Sequence, residues 1–197
     1  MRCTAKVGAI VLAAGASSRM GFAKLAAPIA GKPMIAHVVD AIDAAGLPAP
    51  LVVLGGHGEA VRAALAERAC SFVEAADWNE GLSRSLAAGL EAVPDDRSAA
   101  LVCLGDMPLV SPDLLRAMAA RGGEDAIVLP QHAGRRGNPV LWGKNYFAAL
   151  RAIRGDIGGK ALFREHAARI ETIEWPDDSV LRDFDTPDAL ARLGETG

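Results

Sequence analysis

The chain has 197 residues, 51% hydrophobic and 23% charged, enough to build one compact core without a disulfide or structural metal. Its net charge of -3 argues against a nucleic-acid partner held by general electrostatics, so an anionic ligand needs local positive charge. The apolar run Val7 to Ala14 is too short to span a membrane and lacks signal-peptide flanks, so the expectation is a cytoplasmic protein that binds no membrane.

Apolar runs alternate with segments of helical period, which predicts an α/β fold with a mostly parallel sheet covered by helices. Val7–Ala13 reads as a buried first strand. Pro33–Ala45 reads as a helix with Ile35, Val38, Val39 and Ile42 on one face. Leu51–Gly55 is the next strand, then a helix around Glu59–Arg68, a short strand Ser71–Glu74 and a helix Leu82–Ala92. Ala99–Gly105 reads as a central strand. Ser111-Pro112-Asp113 starts a helix with a serine cap, proline at the first position and an acid near the positive end. Ala126–Pro130 is a further strand. Gln131–Asn138 is polar, with two glycines and two arginines, and reads either as a surface loop over a site or as a solvated hairpin. Thr186-Pro187-Asp188 repeats the capping pattern at a last helix. No repeat or linker interrupts the chain, so residues 1–197 are expected to form one domain. Cys3, Cys70 and Cys103 have neither zinc-ligand nor redox-pair spacing and read as reduced thiols.

Chemistry concentrates after the first strand. Ala13-Ala14-Gly15-Ala16-Ser17-Ser18-Arg19-Met20-Gly21 offers small residues whose exposed N–H groups can approach phosphate oxygens, and Arg19 and Lys24 add two cations. A loop there lies at the carboxyl end of the sheet, where ligands of α/β folds bind. It is neither a P-loop, since Phe22 follows Gly21, nor a dinucleotide fingerprint, since Ser17 stands two residues after Gly15. Asp106 directly follows the strand Ala99–Gly105, and a carboxylate emerging there is a hard-oxygen ligand suited to Mg²⁺. Gly-Asp-Met-Pro is also good turn chemistry, so an ordinary turn aspartate is the alternative. His37 and His166 have no partner at ligand spacing, His57 within Gly55-Gly56-His57-Gly58 reads as a strand-to-helix turn, His132 sits in the polar segment, and Trp142 and Trp175 read as packing residues flanking strands.

Leu12-Ala-Ala-Gly-Ala-Ser-Ser-Arg-Met-Gly21 with Lys24, Leu104-Gly105-Asp106-Met107-Pro108, and Asp185-Thr186-Pro187-Asp188-Ala189-Leu190, in that order, resemble the MobA-like nucleotidyltransferases. Among them the chain is most similar to the molybdenum cofactor cytidylyltransferases, because Ala14 stands where guanylyl relatives usually carry glycine. The resemblance implies a Rossmann-like three-layer domain of the nucleotide-diphospho-sugar transferase type. It implies that Leu12, Ala13, Ala14, Gly15, Arg19, Lys24, Gly81, Ser85 and Asp106 face the nucleotide, and that Arg19, Lys24 and Asp106 are catalytic. Arg136, Asn138 and Lys160 fall on the acceptor side, and Asp106 and Asp185 on Mg²⁺. Asp183 is the rival to Asp185. One departure stands out: the family usually continues Gly155-Asp156-Ile157-Gly158 with alanine and arginine, where this chain has Gly159 and Lys160, and lysine lacks the bidentate grip of arginine on phosphate.

The implied reaction moves CMP from CTP to a phosphorylated acceptor such as molybdopterin, with release of pyrophosphate and transient contact with a molybdoenzyme. Guanylyl or other nucleotidyl transfer to a sugar or polyol phosphate is the nearest alternative. A non-catalytic cofactor carrier would not need Arg19, Lys24, Asp106 and Asp185 together, and an oxidoreductase lacks its fingerprint.

Overall fold

A computed structural model describes residues 6–15, 23–155 and 158–184. Its first strand, β1 (Val7–Ala13), shows why the sheet is central. Val7, Ala9, Val11 and Ala13 enter one core while Ile10, Leu12 and Ala14 enter the other. A strand covered on both faces has no solvent side, so it reads as an unbroken apolar run. After it come β2 (Pro28–Ile29), β3 (Lys32–Pro33), α1 (Met34–Ala44), β4 (Leu51–Leu54), α2 (Gly58–Ala64), β5 (Ser71–Glu74) and α3 (Leu82–Glu91). The second half holds β6 (Ala99–Leu104), α4 (Pro112–Ala119), β7 (Ile127–His132), β8 (Arg135–Arg136), β9 (Val140–Gly143), α5 (Phe147–Ala152) and β10 (Ile170–Glu174).

The main sheet runs β10-β7-β9-β6-β1-β4-β5, with β8 beside β7. β1 pairs in parallel with both β4 and β6, β4 with β5, and β7 with β10, whereas β9 is antiparallel to β6 and β7. Ile35, Val38, Val39 and Ile42 of α1, Val61 of α2, and Leu114, Leu115 and Met118 of α4 pack on one face. Leu86 and Leu90 of α3, with Phe147 and Leu150 of α5, pack on the other. This is the expected three-layer α/β architecture with a mostly parallel sheet.

The chain leaves β1 for β4 and β5, then returns to β6 on the other side of β1. Strand order therefore reverses between β1 and β6, and their carboxyl ends border the crevice in which such sheets bind ligands.

Several elements differ from the sequence reading. Helix α1 starts at Met34, because Pro33 occupies its N-cap position with ψ 138° and belongs to the β2–β3 hairpin. Helix α2 ends at Ala64, short of Arg68, and Arg68 reaches across to Asp40 on α1 at 2.6 Å. Of the two readings of Gln131–Asn138, its start takes the hairpin, pairing Gln131 with Arg136 and His132 with Arg135. Trp142 lies inside β9 rather than at a strand flank, 1% exposed, and does serve packing. The serine cap of α4 is as expected: Ser111 accepts a hydrogen bond from Leu114 N–H at 3.2 Å, with Pro112 next to it. The helix expected from Thr186 lies outside the described residues.

Candidate active site

The carboxyl ends of β1 and β6 are drawn together by a glycine. Gly105 donates its N–H to Leu12 O at 3.0 Å. A Cβ on Gly105 would stand 3.1 Å from Leu12 O and 3.2 Å from Leu25 Cδ1, so glycine allows the strand end and the Leu25 turn to meet. Leu25 belongs to a short 3-10 turn, Lys24–Ala26. That packing brings Lys24 Nζ to 3.0 Å from Asp106 Oδ2 across 82 positions of sequence. Their side chains are 10% and 24% exposed. An opposite-charge hydrogen bond in so shielded a place is stronger than its surface counterpart. Leu12, Ala13 and Ala14 are buried at the end of β1, and Gly15 is exposed. Arg19 lies outside the described residues.

Gly81 links the 3-10 turn Trp78–Glu80 to α3 with φ 117°, a backbone conformation that favours glycine. Ser85 is 4% exposed and thus lies within the packed part of α3. Ser83, which the sequence did not single out, is fully buried, and its hydroxyl has no hydrogen-bond partner among the described residues.

On the other side, Arg136 is exposed on β8 with its guanidinium 6.0 Å from the centre of the Phe163 ring. Phe163 stacks on Trp142 at 5.5 Å. Trp142 also fills the space beside Gly159, where a Cβ would stand 2.8 Å from the indole. Lys160 is exposed in the same turn, Gly158–Phe163. The aromatic pair thus joins the strand bearing Arg136 to the turn bearing Lys160, and the glycine at 159 has a physical partner in the indole. Asn138 donates its N–H to Val180 O at 2.9 Å, through the cis Asn138–Pro139 segment.

These parts meet at two places. Gly155 O accepts the N–H of Ser83 at 3.3 Å, and Gly158 packs on Leu82, so the turn bearing Lys160 follows a segment docked on the start of α3. Phe184 donates its N–H to Asp106 O at 3.2 Å, which brings the segment from Val180 to the end of β6. Asp183 is exposed, and Asp185 lies outside the described residues. Among the described residues no group of three or more His, Cys, Asp or Glu side chains converges as a metal site.

A second feature was not legible as a site. A cleft of about 620 Å³ opens at the carboxyl ends of β4 and β5, with Gly55, Gly56, His57, Glu59, Arg62 and Glu74 in its wall. His57 occupies the position before the first residue of α2, at the strand-to-helix turn expected there. His37 bonds Ile29 O at 3.1 Å and His132 bonds Trp175 O at 2.9 Å, which gives both structural partners. The Cys103 thiol on β6 is pushed up to about 12 by complete burial, so it is not a nucleophile.

A family model of the MobA-like NTP transferase domain matches residues 9–170, the span that holds most of β1 and Lys24, Asp106 and Lys160. The chain belongs to that family. It is 33% identical over 139 residues to bifunctional protein GlmU of Desulfotalea psychrophila, a match that takes in 68% of this chain and 40% of that protein's length. Rv0371c of Mycobacterium tuberculosis H37Rv superposes with a TM-score of 0.87 at 29% identity, covering 98% of this chain and all of that one. The same protein in complex with manganese superposes at 0.78. A nucleotidyl transferase of Methanothermobacter thermautotroptrophicus gives 0.85 at 25% identity over 96% of both chains. Among the described residues no helix is long and apolar enough to cross a membrane.

Proposed function

We propose that this MobA-like chain is a magnesium-dependent nucleotidyltransferase that moves CMP from CTP to a phosphorylated acceptor such as molybdopterin, releasing pyrophosphate. The observation that carries it is the shielded Lys24–Asp106 pair at the β1/β6 crevice: a cation for phosphate beside a carboxylate for a metal. An acceptor phosphate oxygen attacks the α-phosphorus, and the bond to the bridging oxygen breaks with its electron pair leaving on pyrophosphate. The attacking oxygen is already anionic, so the protein needs position and positive charge rather than a strong base. Lys24 exchanges Asp106 for a triphosphate oxygen, and Arg19 adds a second cation. Asp106 is a hard-oxygen donor that fits Mg²⁺, with Asp185 as the second carboxylate. When bound, the ion neutralises triphosphate oxygens. The manganese complex of Rv0371c supports a divalent ion in this fold. Leu12, Ala13, Ala14, Gly15, Gly81 and Ser85 form the nucleotide side, and Arg136, Asn138 and Lys160 receive the acceptor. In this reading the chain works in the cytoplasm and hands its product to a molybdoenzyme. The test is pyrophosphate release across the four NTPs with molybdopterin, a polyol phosphate and a sugar phosphate as acceptors. CTP with molybdopterin is expected to be fastest. Release with GTP alone would move the chain to the guanylyl group, and tight molybdopterin binding without release from any NTP would make it a carrier.

A further inference from the structure

We propose that Gly55 and Gly56 are positioning residues that hold Leu12–Gly15 and Gly81, the latter through the turn Trp78–Glu80 that leads into it, at a set separation on the nucleotide side; this rests on the nucleotidyltransferase reading above. The turn is wedged between the two. A Cβ on Gly55 would overlap the carbonyl oxygen of Ala14 and stand 2.8 Å from its Cα. A Cβ on Gly56 would stand 2.8 Å from both Cζ2 and Cη2 of Trp78. Neither glycine has a positive φ, so their backbone does not require glycine, and the close approach on each side does. Ala14 is only 3% exposed, its methyl turned into packing beside Gly55. Beyond Gly56, Ala75 N–H bonds Leu54 O at 3.0 Å, Trp78 N–H bonds Ala75 O at 3.2 Å, and Gly81 N–H bonds Trp78 O at 3.4 Å. A push on the indole is therefore passed to Gly81 and the start of α3.

The two contacts differ in what must yield. Gly55 meets backbone, which cannot move without disturbing the end of β1. Gly56 meets the outer corner of a half-buried ring, which yields by shifting the exposed turn that carries it, at less cost in stability. Gly56→Ala is therefore the informative variant, and Gly56→Ala with Trp78→Phe is its rescue, because a phenyl ring lacks the indole corner that the new methyl strikes. The experiment measures tryptophan emission, calorimetric CTP affinity with Mg²⁺, and the separate KM values for CTP and acceptor. For Gly56→Ala we expect a near-normal melting temperature, shifted emission, CTP affinity weakened at least about fivefold and an unchanged acceptor KM. The double variant returns CTP affinity to within about twofold of the Trp78→Phe control. Shifted emission with unchanged CTP affinity overturns the proposal alone, as does a double variant no better than Gly56→Ala. Wild-type protein that binds none of the four NTPs with Mg²⁺ overturns the nucleotidyltransferase reading, and this proposal with it.

Discussion

Lys24 and Asp106 hold opposite charges 3.0 Å apart in a shielded crevice. Removing either side leaves the other without this partner and removes a charge-assisted contact worth roughly 1.5–3 kcal/mol. Lys24→Ala is thus expected to lower turnover at least about tenfold, and steady-state pyrophosphate release measures it. Asp106→Ala is expected to abolish turnover, whereas Asp185→Ala weakens it and raises the magnesium requirement. The same geometry makes a binding prediction. Asp106 is already engaged by Lys24, and one carboxylate cannot fill six oxygen positions, so metal and triphosphate should bind together. Free Mn²⁺ followed by electron spin resonance is expected to bind at least about tenfold more tightly once CTP is added. Equal affinity with and without CTP would place the metal elsewhere.

At the scale of elements, α3 and the hairpins are the informative cases. Gly89 lets α3 sit close on the sheet, since a Cβ there would stand 2.8 Å from Ile10 Cγ2 and 2.9 Å from Val53 Cγ2. Gly89→Ala is expected to cost about 1–3 kcal/mol by overpacking, and to weaken CTP binding as the helix that follows Gly81 lifts. Urea denaturation beside calorimetry would separate the two effects. The β7–β8 hairpin turns on Ala133 and Gly134, with φ of 49° and 77°, and the β2–β3 hairpin on Ala30 and Gly31, with 47° and 78°. Two successive positive φ angles are the geometry for which Asn-Gly is the usual signal. Ala-Gly does not announce it, which is why the β2–β3 hairpin was not read from the sequence and the β7–β8 hairpin stood only beside a loop reading. An alanine in the left-handed region costs on the order of 1 kcal/mol. Ala133→Asn is accordingly expected to stabilise the protein by about 0.5–1 kcal/mol, read from its urea midpoint.

Across the whole molecule, Asp40 ties distant segments together. Its carboxylate accepts hydrogen bonds from Arg68 Nε at 2.6 Å and Lys32 Nζ at 2.8 Å, joining α1 to the segment after α2 and to the β2–β3 hairpin. The Arg68 hydrogen bond foremost, then Lys32, holds the Asp40 carboxyl below its ordinary range against partial desolvation. A carboxyl whose folded pKa lies below its unfolded one contributes stability above the unfolded value, and loses it as pH falls through the folded value. The Asp40 side chain is 35% exposed, so screening limits the contribution to about 1 kcal/mol or less. Asp40→Asn should lower the urea midpoint at pH 7, and the gap to wild type should close as pH drops below about 4. A constant gap from pH 7 to pH 3 would assign the effect to shape rather than charge.

What the sequence determined by itself was local: the apolar period of β1, β4 and β6, and the serine cap of α4. Each is settled by neighbours within a few positions, so the residues carry the signal directly. The mostly parallel sheet covered by helices followed from the alternation of strand and helix. Tertiary structure decided the rest. Whether Lys24 meets Asp106 depends on β6 returning beside β1 and on Gly105 permitting close approach, neither of which is a local property. The antiparallel β9 was hidden because a four-residue apolar strand looks the same in either direction, and its pairing with β6 and β7 is set by the sheet. Gly55 and Gly56 read as an ordinary turn until the chain brought Ala14 and Trp78 against them. A glycine's missing side chain has meaning only through what occupies the space, and for these two that neighbour is supplied by the fold.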